Sequence, residues 1–95
     1  EHVLAFKDIL PKAPIHILVI PKGYYMDYSE FSEKASSKEI LAFHAAVAKI
    51  TSELQLDKTG YRLIANTGSQ GGQEVPHFHM HILGGKNLGP MIQEL

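Results

Sequence analysis

Residues 77–82 read His-Phe-His-Met-His-Ile, so half of the chain's six histidines fall at every second position of one short segment. Period two belongs to the β-strand, where successive side chains point to opposite faces. As a strand, the segment places His77, His79 and His81, with Leu83 beyond, on one face. Phe78, Met80 and Ile82 take the other. The apolar set needs a core beneath it, and the histidines need an accessible surface. The chain must therefore build a sheet with one covered face and one open polar face. Alternate histidines would stand about 6.7 Å apart along the strand, close enough to serve one ligand region.

Three readings of that face compete: histidines on a wet surface, a metal site, or phosphoryl or acyl chemistry. Strand histidines at i and i+2 are good zinc ligands. A neutral imidazole is also nucleophilic near pH 7, and its neighbours can orient it or handle protons. The absence of cysteine removes thiolate zinc sites and disulfides. The preceding loop, Asn-Thr-Gly-Ser-Gln-Gly-Gly-Gln over 66–73, is glycine-rich. Backbone N–H groups of such a loop can converge on an anion, which a phosphate site uses and a metal site does not. A net charge of −1 argues against nucleic-acid binding, yet leaves room for a single phosphate held by backbone donors. The longest apolar run, 15–20, is too short to cross a bilayer. No membrane partner is expected, and a cytoplasmic location follows as the expectation.

The rest of the 95 residues supplies one small α+β domain. Residues 2–9 and 15–21 suit two strands joined by the proline-bounded turn at 10–14. Residues 22–35 read as a loop with a helical turn near 29–34. Ser36 followed by Glu39 forms a capping-box pattern. Apolar residues then recur at spacings of three and four, predicting a helix over about 37–55. Strands are expected at 60–66 and 77–83. The order β-β-α-β-β implies an antiparallel sheet with one main helix packed on it.

The segments "LAFKDI", "PKAPIHILVIPK", "GYRLIANTG", "GGQEVPHFHMHILGG" and "LGPM" occur in the order seen in the histidine triad family. The His-x-His-x-His-x motif carries most of that resemblance, which covers nearly the whole chain. It is most similar to the Hint branch, and to bacterial members of that branch. The Gly84-Gly85 pair after the triad resembles Hint rather than the dinucleoside polyphosphate hydrolases of the Fhit branch. The resemblance implies a single domain over 1–95, lacking the helix and strand that usually come first in the family. It implies a homodimer with one sheet continuous across both copies, and no cofactor or metal.

It also implies a reaction. His79 would attack the α-phosphorus of a purine nucleoside phosphoramidate or acyl-adenylate. Water would then release the nucleoside monophosphate from a nucleotidyl-histidine. The alternatives are a dinucleoside polyphosphate hydrolase, or a nucleotide- or metal-binding module without catalysis. By position in the motif, His81 would contact phosphate oxygens, His77 would help orient the nucleophile, and His16 would support the network. Asn66, Gly72 and the backbone of Gln73 and Glu74 would hold the phosphate. Glu74 stands where some Hint proteins have a serine, so its side chain receives no role. Asp8 would grip the ribose hydroxyls, as a carboxylate accepting two O–H groups. Phe6, Ile9 and Leu18 would line the base pocket. Taken residue by residue, Asp8 reads equally well as a turn residue, and the three apolar residues as ordinary core.

Overall fold

The computed structural model describes residues 1–92 as four strands and three helices, in the order β1 (Val3–Lys7), β2 (Ile15–Pro21), α1 (Tyr28–Lys34), α2 (Ser37–Glu53), α3 (Leu56–Thr59), β3 (Tyr61–Ile64) and β4 (Met80–Gly84). All pairings are antiparallel, and the sheet order is β1-β2-β4-β3. The expected α+β architecture is therefore present; α1 stands where a helical turn near 29–34 was expected, and α3 is an addition.

Strand alternation divides the sheet cleanly. Val19 lies opposite both Ala5 and Met80, and Ile17 lies opposite Ile82, on the face that carries the helices. Phe43 and Val47 of α2, Phe31 of α1 and Leu56 of α3 close over Val19, Ile82 and Phe78 to form the core. Phe78 is stacked on Phe31 at 5.0 Å between ring centroids and tilted against Phe43 at 5.2 Å. Such aromatic pairs add to the stabilisation from burial alone. The other face carries Leu4, Phe6, His16, Leu18, Ile20 and His81, as the same register requires.

Helix α2 starts where the capping box predicts. Ser36 Oγ accepts the Glu39 N–H at 3.2 Å, and Glu39 Oε1 accepts the Ser36 N–H at 2.9 Å. Two otherwise orphaned donors are satisfied reciprocally. Glu39 also accepts from the Tyr25 hydroxyl at 2.9 Å, which ties the 22–27 loop to the helix start. At the far end of β4, a Cβ on Gly84 would come within 2.7 Å of Leu56. The missing side chain is what lets α3 settle against the strand.

The histidine segment departs from the expected strand over 77–83: β4 begins only at Met80. The cause is where the backbone groups of 77–79 are used. The His77 N–H donates to Val75 O, and the Phe78 N–H donates to Tyr25 O at 2.6 Å. The His77 carbonyl is taken by the His79 side chain. These groups are committed outside the sheet ladder, so the strand cannot extend to include them. No described helix is long and apolar enough to cross a membrane.

Candidate active site

Two hollows open on the face of the sheet away from the helices, and His79 lines both. One is an apolar slot of about 550 Å³ bounded by Leu4, Phe6, Leu18, Ile20, Val75 and His77. The other is a polar hollow of about 540 Å³ whose lining includes Asp8, His16, Asn66, Gly72, Gln73, Glu74 and His81. The slot is built by β1 and β2, whose alternation turns Leu4 and Phe6 toward Leu18 and Ile20. The hollow lies between the 8–16 segment and the glycine loop.

His79 is held by one bond. Its Nδ1 lies 2.8 Å from the His77 carbonyl oxygen. A carbonyl only accepts, so Nδ1 carries the proton, and the neutral ring keeps its lone pair on Nε2. The backbone of His77 thus orients His79, whereas the sequence directed attention to the His77 ring. That ring is engaged elsewhere: its Nε2 donates to Pro21 O at 3.2 Å, and Tyr24 packs edge-on at 5.3 Å.

Across from His79, His81 Nδ1 and His16 Nε2 are 2.8 Å apart. His16 is buried, and the Lys12 N–H reaches its Nδ1 at 3.1 Å. Burial, and then the neighbouring His79 and His16, push His81 below the ordinary histidine value of 6.5. The neutral ring is therefore favoured by folding. Between its lowered folded value and 6.5, the unfolded chain binds more protons than the folded one. This contribution to stability is fully present above pH 6.5 and is lost as pH falls through the folded value. Urea unfolding followed from pH 7.5 downward should show that decline, and His81→Gln should flatten it.

Asp8 ends β1 by folding back on itself. Its Oδ1 accepts the Leu10 N–H at 2.8 Å, and that bond chiefly holds its carboxyl below the usual carboxylate range. An ionised carboxylate with Oδ2 free to accept suits a pair of sugar hydroxyls. Oδ2 lies 3.5 Å from His16 Nε2.

The glycine loop is more internally bonded than its composition suggests. The Gln73 N–H donates to Gly68 O and the Gly72 N–H to Ser69 O. The Gln73 side chain accepts from Gly68 N and donates to Met26 O and Val75 O. Gln73 therefore fastens the loop, and its N–H does not face the hollow as a free donor. Among the described residues the Glu74 N–H has no hydrogen-bond partner and remains available. Asn66 Nδ2 donates to Gly71 O at 2.7 Å, which shapes the loop from its start. Gly72 takes φ 78°, a conformation that favours glycine.

Ile9 differs from its expected place. Because Asp8 turns the chain, Ile9 is 91% exposed and lines neither hollow. Leu4, Ile20 and Val75 line the slot instead, together with Phe6 and Leu18. Leu4 and Ile20 were within reach of sequence reasoning, since they stand two residues from Phe6 and Leu18 on the same faces.

Asp8, His16 and His81 each offer a ligand atom, all within 4.8 Å of one another, which is close enough to consider a metal. The 2.8 Å separation of the two nitrogens matches a hydrogen bond. Two imidazoles on one tetrahedral zinc would hold their nitrogens about 3.3 Å apart. The pair fits a shared proton better than a shared ion.

The HIT domain model matches residues 1–88. An uncharacterized HIT-like protein of Rickettsia prowazekii is 56% identical over 88 residues, covering 93% of this chain and 73% of that protein. The purine nucleoside phosphoramidase of Escherichia coli strain K12 is 47% identical over 93 residues, covering 95% of this chain and 75% of that enzyme. A HIT family hydrolase from Clostridium thermocellum superposes with a TM-score of 0.86 at 41% identity, covering 98% of this chain and 80% of that one. With the alternate histidines, the antiparallel sheet and nearly the full sequence in agreement, this chain belongs to the HIT domain family.

Proposed function

We propose that the protein is a nucleotide hydrolase that cleaves the α-phosphate bond of purine nucleoside phosphoramidates or acyl-adenylates through a nucleotidyl-His79 intermediate. The observation that carries this reading is the single bond from His79 Nδ1 to the His77 carbonyl. It leaves Nε2 unprotonated at the junction of an apolar slot and a polar hollow. A base in the slot and a phosphate in the hollow would bring the α-phosphorus to that nitrogen. Nε2 attacks phosphorus and a P–Nε2 bond forms, while the electron pair of the breaking bond leaves with the acyl oxygen, or with the amine nitrogen as it takes up a proton from solvent. Water then attacks the same phosphorus and gives up a proton to solvent, the P–Nε2 electron pair returns to the imidazole, and the nucleoside monophosphate leaves. Two moderate steps replace one difficult displacement.

The remaining residues take supporting roles. His81 meets the phosphate oxygens, with His16 behind it. The free Glu74 N–H supplies a backbone donor, on a loop shaped by Asn66, Gly72 and Gln73. Asp8 accepts from the ribose. Phe6 and Leu18, with Leu4, Ile20 and Val75, take the base face without a polar reader. The purine preference rests on the phosphoramidase relative. Incubation with an adenosine phosphoramidate, a mild alkaline quench and intact mass measurement should reveal one added adenylyl group. Turnover should also survive a strong chelator. Activity lost to the chelator and restored by zinc would instead support a metal enzyme.

A homodimer with a continuous sheet belongs to the same reading. Among the described residues β3 is the last strand of the sheet, and no strand pairs with its outer edge. Tyr61 and Leu63 lie on its helix-bearing face, yet are 42% and 43% exposed. Apolar residues beside an open edge invite a second copy. Light scattering at micromolar concentration should give twice the 10.5 kDa of one chain, and Leu63→Glu should shift it toward the monomer. A cytoplasmic setting agrees with such substrates and is proposed with them.

A further inference from the structure

We infer that the backbone N–H of Lys12 is a positioning group: acting through His16, it sets which nitrogen of His81 presents a proton to the phosphate. The inference follows from donor and acceptor bookkeeping along one chain of contacts. The Lys12 N–H points at His16 Nδ1 at 3.1 Å. An amide N–H can only donate, so Nδ1 must carry the lone pair. The proton of neutral His16 then sits on Nε2. That nitrogen is 2.8 Å from His81 Nδ1 and 3.5 Å from Asp8 Oδ2. The shorter contact takes the proton. His81 Nδ1 is thereby the acceptor, and the proton of neutral His81 is fixed on Nε2.

The opposite arrangement fails at its first step. If His81 donated from Nδ1 to His16, the His16 proton would move to Nδ1 and confront the Lys12 N–H. His81 would also turn a lone pair toward any phosphate oxygen. Fixed as it is, neutral His81 meets the phosphate as a donor and supplies no competing nucleophile. His79 has the reverse tautomer, because a carbonyl faces its Nδ1. Two histidines two residues apart are thus given opposite chemistry by one backbone acceptor and one backbone donor. The same logic disfavours a metal on His16 Nε2, since a neutral metal-bound ring would need its proton on Nδ1.

The loop is built to hold that donor. Pro11 and Pro14 flank Lys12 and Ala13, and proline has no N–H to offer. Ala13 is buried, and the Lys12 ammonium folds back onto Leu10 O at 3.2 Å. His16 and His81 occupy adjacent strands on one face, so the register of β2 on β4 brings their rings together.

The consequence for rate rests on the phosphoryl-transfer reading; the tautomers themselves do not. The test is therefore spectroscopic first. Protein labelled with ¹⁵N-histidine is examined by long-range proton–nitrogen correlation near pH 8, above the ordinary imidazole range. His16 and His81 should each show a lone-pair Nδ1 and a protonated Nε2, and His79 the reverse. A protonated Nδ1 on His16 or His81 overturns the inference. Lys12→Pro, and a semisynthetic chain with an ester in place of the Lys12 amide, both remove the N–H. The ester keeps the backbone course should proline disturb it. Removal should mix the tautomers of both rings and lower kcat about 10-fold, with KM changed less than about 2-fold. Lys12→Ala, which keeps the N–H, should retain the tautomers. Unchanged tautomers and kcat in the ester chain would also overturn the inference. If no adenylyl adduct forms on His79 in the unaltered protein, the proposed reaction fails while the tautomer assignment is still decided.

Discussion

His79→Ala should remove the adenylyl adduct altogether and lower kcat by roughly 10⁴-fold or more, with nucleotide affinity changed only a few-fold. A factor of 10⁴ corresponds to about 5.4 kcal/mol of transition-state stabilisation. The size follows from the role. No other imidazole at the site combines a carbonyl-anchored Nδ1 with a free Nε2 on both hollows. The His81 ring is committed at Nδ1 to His16, and the His77 ring at Nε2 to Pro21 O. Binding should persist because the slot is walled mainly by β1, β2 and Val75. His77→Ala is the instructive companion. It keeps the carbonyl that orients His79, so its effect should stay below about 10-fold. Single-turnover kinetics on both variants separates the two roles. A loss for His77→Ala as large as that for His79→Ala would show that the ring orients the nucleophile after all.

Phe78→Ala should destabilise the fold by about 3–5 kcal/mol. Phe78 is almost fully buried and touches rings from three directions: Phe31, Phe43 and Tyr28. Removing it opens a cavity where α1, α2 and the sheet meet, and the aromatic partners cannot all close in. For a domain of this size the melting temperature should fall by about 15–30 °C. The variant also tests a link between packing and catalysis. The Phe78 ring pins the segment whose neighbouring carbonyl orients His79. Phe78→Leu, which refills most of the volume, should restore much of the stability. A drop of less than about 1 kcal/mol for the alanine variant would place the centre of the core elsewhere.

Legibility in the sequence followed the range of the interactions involved. Helix α2 was readable to within two residues because its signals are local: Ser36, Glu39 and apolar spacing. The two faces of the 77–83 segment were readable because alternation is local too: Phe78 and Ile82 are in the core, and His81 is on the opposite face. The late start of β4 was not, since it depends on Phe78 donating to Tyr25 O, far away in sequence. Ile9 was misplaced for a subtler reason. Asp8 can extend a strand or turn it, and only the bond from the Leu10 N–H decides in favour of the turn. Gln73 looked like part of a phosphate cradle, whereas its side chain reaches across to Met26 O to hold the loop. Helix α3 is a four-residue turn with no periodicity to detect. At the site, residue types pointed to the chemistry, but tautomers follow from backbone groups, which have no letter in the sequence.

The alternation of 77–82 also determines which kinds of genetic change the segment tolerates. Substitutions there are separable: one parity of positions affects chemistry, the other affects folding. Deletion or insertion of a single codon is different in kind. It exchanges the two parities for every residue on one side of the lesion, turning imidazoles into the core and apolar groups onto the reactive face. Across related genomes, this stretch should therefore remain fixed in length, with Phe78, Met80 and Ile82 exchanging only for other apolar residues of similar volume. The neighbouring glycine loop, which lies outside the strands, escapes that constraint.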